Sequence, residues 1–457
     1  MNTVILAGEK KRGWLYFTEK RVGRPRLPRW SVAALVLLTF AGGGGMLHGQ
    51  SFRGAVVKVD ITPDSPQMLR GYAPRMSTQV HSRIYHRIVA LDDGTTSFYL
   101  ISSDLCSVSP AFCDQVTDDL ARELCIPPQN IWWTITHNHS SPYVGPPGIP
   151  GILHPTRFTF EVDAGYTALV AKTLQDGVRL ARQRLEPAKL GVGWGYSEAN
   201  INRRARDADG RVVLGMNPGG AVDRRIGLLR LDKTNGEPLA LIANYAMHAT
   251  VLGGKSTVLT GDAPGTVSEY VERETGAPML YINGAAGNLA PLYSGMTEVR
   301  YLSRFKVLLG DPILQANRTI RSTRGGAKLH TDIITLETPK RPGLQWSEEL
   351  KSYMKVYPDG REMLQVPIRF LRISEDIAIW SAPMELFCEI SNEVRDRSPF
   401  PYTFYFGYTN GTFTYMPTES EFAAGGYEQQ TSPFTASAGA DLIRLVGGYL
   451  QKASFKP

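Results

Sequence analysis

From residue 51 onward the apolar positions fall in short runs, and each run stops abruptly. "FYLISSD" (98–104), "IWWTITHNH" (131–139), "LALIANYAMH" (239–248), "MLYINGAAGN" (279–288) and "IAIWSAPME" (377–385) end in small, polar or titratable residues. Nearly continuous apolar runs of this length predict strands buried on both faces. "RIVALDDGTTSFYLISSD" reads as a hairpin around Asp93-Gly94, and "IGLLRLDKTNGEPLALIANYAMH" as a second around Asn235-Gly236. "KLHTDIITLET" and "QVPIRFLRISEDIAIWSAP" add strands with β-branched alternation. Helical spacing with capping residues predicts helices over 109–125, 160–184, 263–276 and 384–396. The fold class expected is α/β: layered mixed β-sheets flanked by helices, in a single large domain. In layered α/β proteins ligands sit beyond the carboxyl ends of strands. Five runs with such endings predict one site that collects their tails.

Charge changes this picture little. The formal net charge is +7, but residues 1–30 hold eight of the 50 Lys/Arg and two of the 43 Asp/Glu. That segment carries +6 and the remainder +1, so the basicity gives no nucleic-acid footprint to the main body. The basic stretch precedes "SVAALVLLTFAGGGGML" (31–47), where Gly42–Gly45 cut the apolar run short of the roughly 20 residues of a membrane span. The expectation is a leader over 1–50, either an export signal or an anchor, and one domain over 51–457. The protein is then exported: periplasmic, secreted or surface-associated, with peripheral membrane contact open. Cys106, Cys113, Cys125 and Cys388 show no CxxC spacing, so a structural zinc knot is not expected and their pairing is open.

The candidate chemistry lies in the run endings. His137 and His139 are two apart and share a face of an extended segment. His248 closes another run, and Glu385 stands where a strand gives way to a helix. Three imidazoles and a carboxylate suit Zn²⁺, which takes about three protein ligands and one open position at a catalytic site. Spacings this long form no compact zinc motif. A hydrogen-bonded core reading of the histidines stays open at this point.

"THNHSSP" (136–142) resembles the Thr-His-Thr-His-Ser-Gly-Pro element of the neutral/alkaline (non-lysosomal) ceramidases. "NYAMHATVLG", "NGAAGNLAP", "SAPMELF" and "YMPTESEFAAGGYE" are similar to later motifs of that family in the same order, and "NINRR" (200–204) to its Asn-Arg-Ser element. The resemblance runs from about Phe52 to the C-terminus. It implies a zinc ion held by His137, His248, Glu385 and Tyr415, with His139, Arg203 and Tyr427 contacting substrate around the scissile amide. It also implies hydrolysis of an N-acyl bond in a sphingolipid-like or related lipid by zinc-activated water. Ala290 stands where the family has a serine, which weakens the case for ceramide itself. The chain ends shortly after "ADLIRLVGGYLQKA", so the family's additional C-terminal β-sandwich is expected to be missing. Hydrolysis of another amide or ester, and a metal-containing binding protein without turnover, remain the alternatives.

Other residues have paired readings. Asp104 and Asp262 are expected either to orient a zinc histidine or, for Asp262, to cap a helix. Asn288 and the glycines of "NGAAGN" either let backbone approach substrate or form a tight turn. "GPPGIPG" (145–151) is either the rim of an entrance or a surface connection. Trp132 and Trp133 are expected in the core, and His86 and His154 off the ligand set.

Overall fold

Side-chain alternation decides the architecture. The computed structural model of the protein describes residues 52–454, so the leader expected over 1–50 falls outside the described residues. Along the strand Ile131–Ile135 every residue is buried, yet successive side chains serve different cores. Trp132 packs edge-on against Phe98 and Phe406, whereas Trp133 turns to the opposite face and meets Phe112. This is the period of two that a strand imposes.

Eight strands form the larger sheet, in the order Met279–Asn283, Pro238–Tyr245, Arg225–Lys233, Glu186–Tyr196, Arg53–Asp60, Tyr85–Asp92, Ser97–Ser103, Ile131–Ile135. Its two outermost pairs are parallel and the other pairings antiparallel. Leu329–Pro339, Glu362–Ile373, Ile377–Ala382 and Tyr402–Gly407 make the second sheet, whose last pair is also parallel. One apolar core lies between the sheets, joining Trp132, Ile242 and Leu280 to Ile379, Phe404 and Phe406. On the outer face of the larger sheet pack Pro110–Leu124, Ala164–Gln183, Asp262–Thr275 and Asp311–Thr319. The second sheet carries Cys388–Asp396 and Ala438–Ser454. The layers therefore run helix, sheet, sheet, helix, as the apolar runs predicted.

Both hairpins form where expected, with Gly94 (φ +85°) and Gly236 (φ +90°) in the left-handed region that their tight turns require. Three expected helices are present within a few residues of the predicted bounds, and Asp163 caps the second by accepting from the Tyr166 amide. The fourth expectation needs correction at its start. Glu385–Leu386 form a two-residue parallel ladder with Tyr415–Met416, and the helix begins only at Cys388. The amide of Glu385 is committed to Thr414 O at 2.9 Å, which holds it in the ladder. All four cysteines are unpaired. Among the described residues no helix is long and apolar enough to cross a membrane.

His86 shows how a polar group is tolerated in this core. Its ring is fully buried, with Nε2–H donating to Val170 O (3.0 Å) and Nδ1 accepting from the Ser103 hydroxyl (2.6 Å). The Ser103 oxygen in turn accepts from Trp133 Nε1–H at 2.8 Å. Burial lowers the His86 pKa to about 4. Between that value and the ordinary 6.5 the unfolded chain binds a proton that the native state refuses, so stability falls as pH drops through this window. A shift of this size is worth about 3 kcal/mol. His86→Gln is expected to be the less stable protein at pH 8 and to recover against wild type by pH 4. Urea denaturation of both proteins across that range measures the gap, and a pH-independent gap contradicts the assignment.

Candidate metal centre

The loops that leave the strands Ile131–Ile135 and Pro238–Tyr245 carry His137 and His248 to within ring-contact distance, 4.6 Å between centroids. Each imidazole is oriented by a backbone carbonyl. His137 Nδ1–H donates to Cys106 O (2.8 Å) and His248 Nδ1–H to Ala286 O (2.6 Å). With Nδ1 carrying the proton, Nε2 is left as a lone pair on both rings. His137 takes a left-handed backbone conformation (φ +58°) to make this turn, and its ring stacks on Tyr408 at 4.5 Å. The carboxylates of Asp104 and Asp262, expected as histidine partners, are used elsewhere. Asp104 pairs with the buried Arg87 at 2.9 Å, and Asp262 accepts from the Val251 and Leu252 amides. Backbone carbonyls already do the orienting, and a buried guanidinium has the stronger need for a carboxylate.

Glu385 completes the convergence. Its Oε2 lies 3.3 Å from His137 Nε2 and 3.2 Å from His248 Nε2, yet it accepts no hydrogen bond. That combination follows if both nitrogens face it with lone pairs. Burial works to raise the Glu385 pKa, and the opposing pull of His137 and His248 acts only when those rings carry a proton on Nε2. Burial also drives His248 down to about 4, so at neutral pH its ring is uncharged. Tyr415, beside Glu385 in the ladder, puts its hydroxyl 3.4 Å from His248 Nε2. Buried electron donors this close need a cation among them. The three separations match the roughly 3.3 Å edges that ligands at ~2.0–2.1 Å from one tetrahedral ion subtend. The donor set therefore fits a divalent metal. A second trio, Cys106, His137 and His139, is also close enough to hold one. The two trios share His137, whose one free nitrogen serves a single ion at a time.

The remaining predicted residues divide. His139 sits beside the cluster with Nε2 3.1 Å from His137 Nε2, packed edge-on against Tyr72 at 4.9 Å. Tyr427 lies edge-on to Tyr415 at 5.7 Å. Both line a half-open cavity of ≈ 80 Å³ together with His137, Glu385 and Tyr415. Arg203 does not line it. Its guanidinium lies 5.4 Å from the Tyr415 ring centre and is fixed by Glu428 at 2.8 Å, so it backs Tyr415. Ala290 is buried in the strand Leu289–Pro291, also off the cavity wall. Pro150, from the glycine-proline loop, does reach the wall, which gives that loop its rim position.

Sequence reasoning missed the segment Arg70-Gly71-Tyr72, which also lines the cavity. Gly71 (φ +101°) lies so close to His139 that a Cβ there would meet its ring at 2.4 Å. The run "QMLRGYAPRM" offers no periodicity that marks it. Asn288 lies in a tight turn, as one reading expected, closed by the Leu289 amide donating to Ala286 O at 3.0 Å. It ties the loop to the helix Cys388–Asp396, donating to Glu389 (2.8 Å) and accepting from the Cys388 amide (3.0 Å). Gly287 is the glycine with a demand, since a Cβ there would stand 2.5 Å from Glu385 O.

Residues 53–286 match the profile of neutral/alkaline non-lysosomal ceramidase, N-terminal. Among solved structures, the neutral ceramidase from Pseudomonas aeruginosa superposes with a TM-score of 0.69 at 18% identity, covering 87% of this chain and 74% of that one. A ceramidase complexed with C2 gives 0.70 at 17% identity, covering 88% and 76%. These likenesses establish a shared fold.

The close approach at Gly287 generates a stability prediction. Gly287→Ala overpacks the backbone that carries Glu385 and is expected to cost about 1–3 kcal/mol. Gly448→Ala, in a helix with open space around the added methyl, is expected to gain about 0.5–1 kcal/mol. Chemical denaturation of both variants checks the contrast, and equal effects would refute it.

Proposed function

The chain belongs to the neutral/alkaline non-lysosomal ceramidase family, and from that membership we propose that it is a zinc-dependent amide hydrolase cleaving the N-acyl bond of a sphingolipid-like substrate. The observation that carries the reading is the Glu385 oxygen left without a hydrogen bond between the Nε2 atoms of two imidazoles whose Nδ1 atoms are each bonded to a backbone carbonyl. In this reading His137, His248, Glu385 and Tyr415 hold the ion. Zinc, when bound, supplies a Lewis acid and lowers the pKa of water from 15.7 toward about 7.

The chain's own groups supply the rest. His139 is held uncharged, first by burial and then by the neighbouring His137 and His248, so its ring is free to take a proton during attack and return it to the departing nitrogen. Tyr427 presents a hydroxyl on the cavity wall, where it donates to the oxygen that gains charge. Arg203 acts one step back, fixing Tyr415 from behind while Glu428 holds its own position. The proposal includes export, supported by the composition of residues 1–47 alone. The catalytic domain then spans residues 51–457, behind an export signal or anchor.

Two outcomes are expected. A chelator, or His248→Ala, removes the ion and abolishes hydrolysis of N-acyl substrates, with metal content and turnover followed together; turnover that survives both treatments sinks the proposal. His139→Ala keeps the metal but loses about 10²–10⁴-fold in kcat, the usual size of a general acid–base contribution. Metal analysis beside steady-state kinetics separates this from a lost ligand.

A further inference from the structure

The cavity that holds the histidine–glutamate cluster is also lined by cations. Arg70 is 3% exposed, and its guanidinium lies 4.9 Å from the ring centre of Tyr143 and 5.5 Å from that of Phe158. Its Nη2 donates to Pro147 O at 3.0 Å, while Nη1 is buried with no partner. No carboxylate among the described residues forms an ion pair with it. The carboxylate that bears on it, Glu349, accepts from the Ser109 hydroxyl. Arg157 stands on the same wall, beside the Tyr427 hydroxyl. His154 adds a buried Nε2 that also lacks a partner. Behind them Arg75, bonded only to the carbonyls of Ser256 and His139, keeps one Nη without a partner too. The one carboxylate on the cavity wall is Glu385, which faces His137 and His248.

A buried guanidinium with a free donor edge is costly unless something anionic meets it. Its planar fork matches the two oxygens of a carboxylate or phosphate. A hydrocarbon chain laid on this wall would leave the donors unsatisfied, so the wall faces the polar half of the substrate. The cavity, ≈ 80 Å³, brings this wall and the cluster into one pocket. We propose that the amine half of the substrate carries an anionic oxygen group, carboxylate or phosphate, a few bonds from the scissile nitrogen, and that Arg70 binds it with Arg157 at the mouth. The inference rests on the hydrolase reading above and narrows its substrate to N-acylated acidic amines. In the reaction the C–N bond breaks and the oxygen of water joins the acyl carbon. Both water protons end on the nitrogen, giving a carboxylate and an ammonium.

The test uses the full zinc-supplemented chain and probes sharing one lauroyl chain: N-lauroylglycine, N-lauroylethanolamine and the phosphate ester of the latter. The uncleavable ketomethylene isosteres of the first two report binding alone. An acidic probe is expected to exceed the neutral one at least tenfold in kcat/KM, and the better of the two acids identifies carboxylate or phosphate. The anionic isostere is expected to bind at least tenfold tighter than its neutral partner. Arg70→Gln should collapse these ratios through KM rather than kcat, Arg70→Lys should restore part of them, and Arg157→Gln, at an exposed position, should reduce them without threatening the fold. Hydrolysis that favours the neutral amide, or ratios unchanged in both glutamine variants, overturns the inference and leaves the hydrolase reading standing. Tight, Arg70-dependent binding of the anionic isostere with no hydrolysis of any probe does the reverse.

Discussion

Two hydrogen bonds, from the Nδ1–H groups of His137 and His248 to the carbonyls of Cys106 and Ala286, set the protonation pattern on which the centre depends. They fix the tautomer of each ring and turn both Nε2 lone pairs inward toward the Glu385 oxygen. Without them a proton could sit between ring and carboxylate, and the trio would be an ordinary buried ion pair. With them, three donors confront one another at a buried point, an arrangement that fits a divalent metal. The orienting groups are main-chain atoms, so no side-chain substitution at Cys106 or Ala286 removes them directly.

Much of this was legible in the sequence because burial on both faces leaves a plain trace. The runs around Ile131–Ile135, Pro238–Tyr245 and Ile377–Ala382 show no polar alternation, and the structure buries each between helices and a second sheet. His137, His248 and Glu385 were visible as the titratable endings of such runs. The carbonyl orienters were invisible, because a backbone oxygen has no residue letter. Arg70 was missed for a related reason: its neighbourhood is loop, where spacing says nothing about direction. The start of the fourth expected helix failed because a two-residue ladder is too short to produce a period, and its pairing with Tyr415–Met416 is set by tertiary contact.

Arginines around the site divide into two kinds. Arg203 and Arg204 share Glu428 and are internally neutralised, as is Arg87 between Asp104 and Glu272. These belong to the scaffold, where breaking a buried pair leaves an exposed cost on the surviving partner. Arg70 and Arg75 have no such counterpart and contribute field to the cavity. The same residue type thus serves as strut in one place and as attractor in the other, and only the partner distinguishes them.

Each imidazole of the centre is anchored to the loop that follows the neighbouring parallel strand, His137 to the one after Ser97–Ser103 and His248 to the one after Met279–Asn283. Glu385 arrives from a different sheet altogether. Contacts this distant along the chain cost loop-closure entropy before they reward it. The framework that holds them has large apolar cores of its own, so an ion bound here would join ready-made layers, unlike the zinc of small finger domains that drives their collapse.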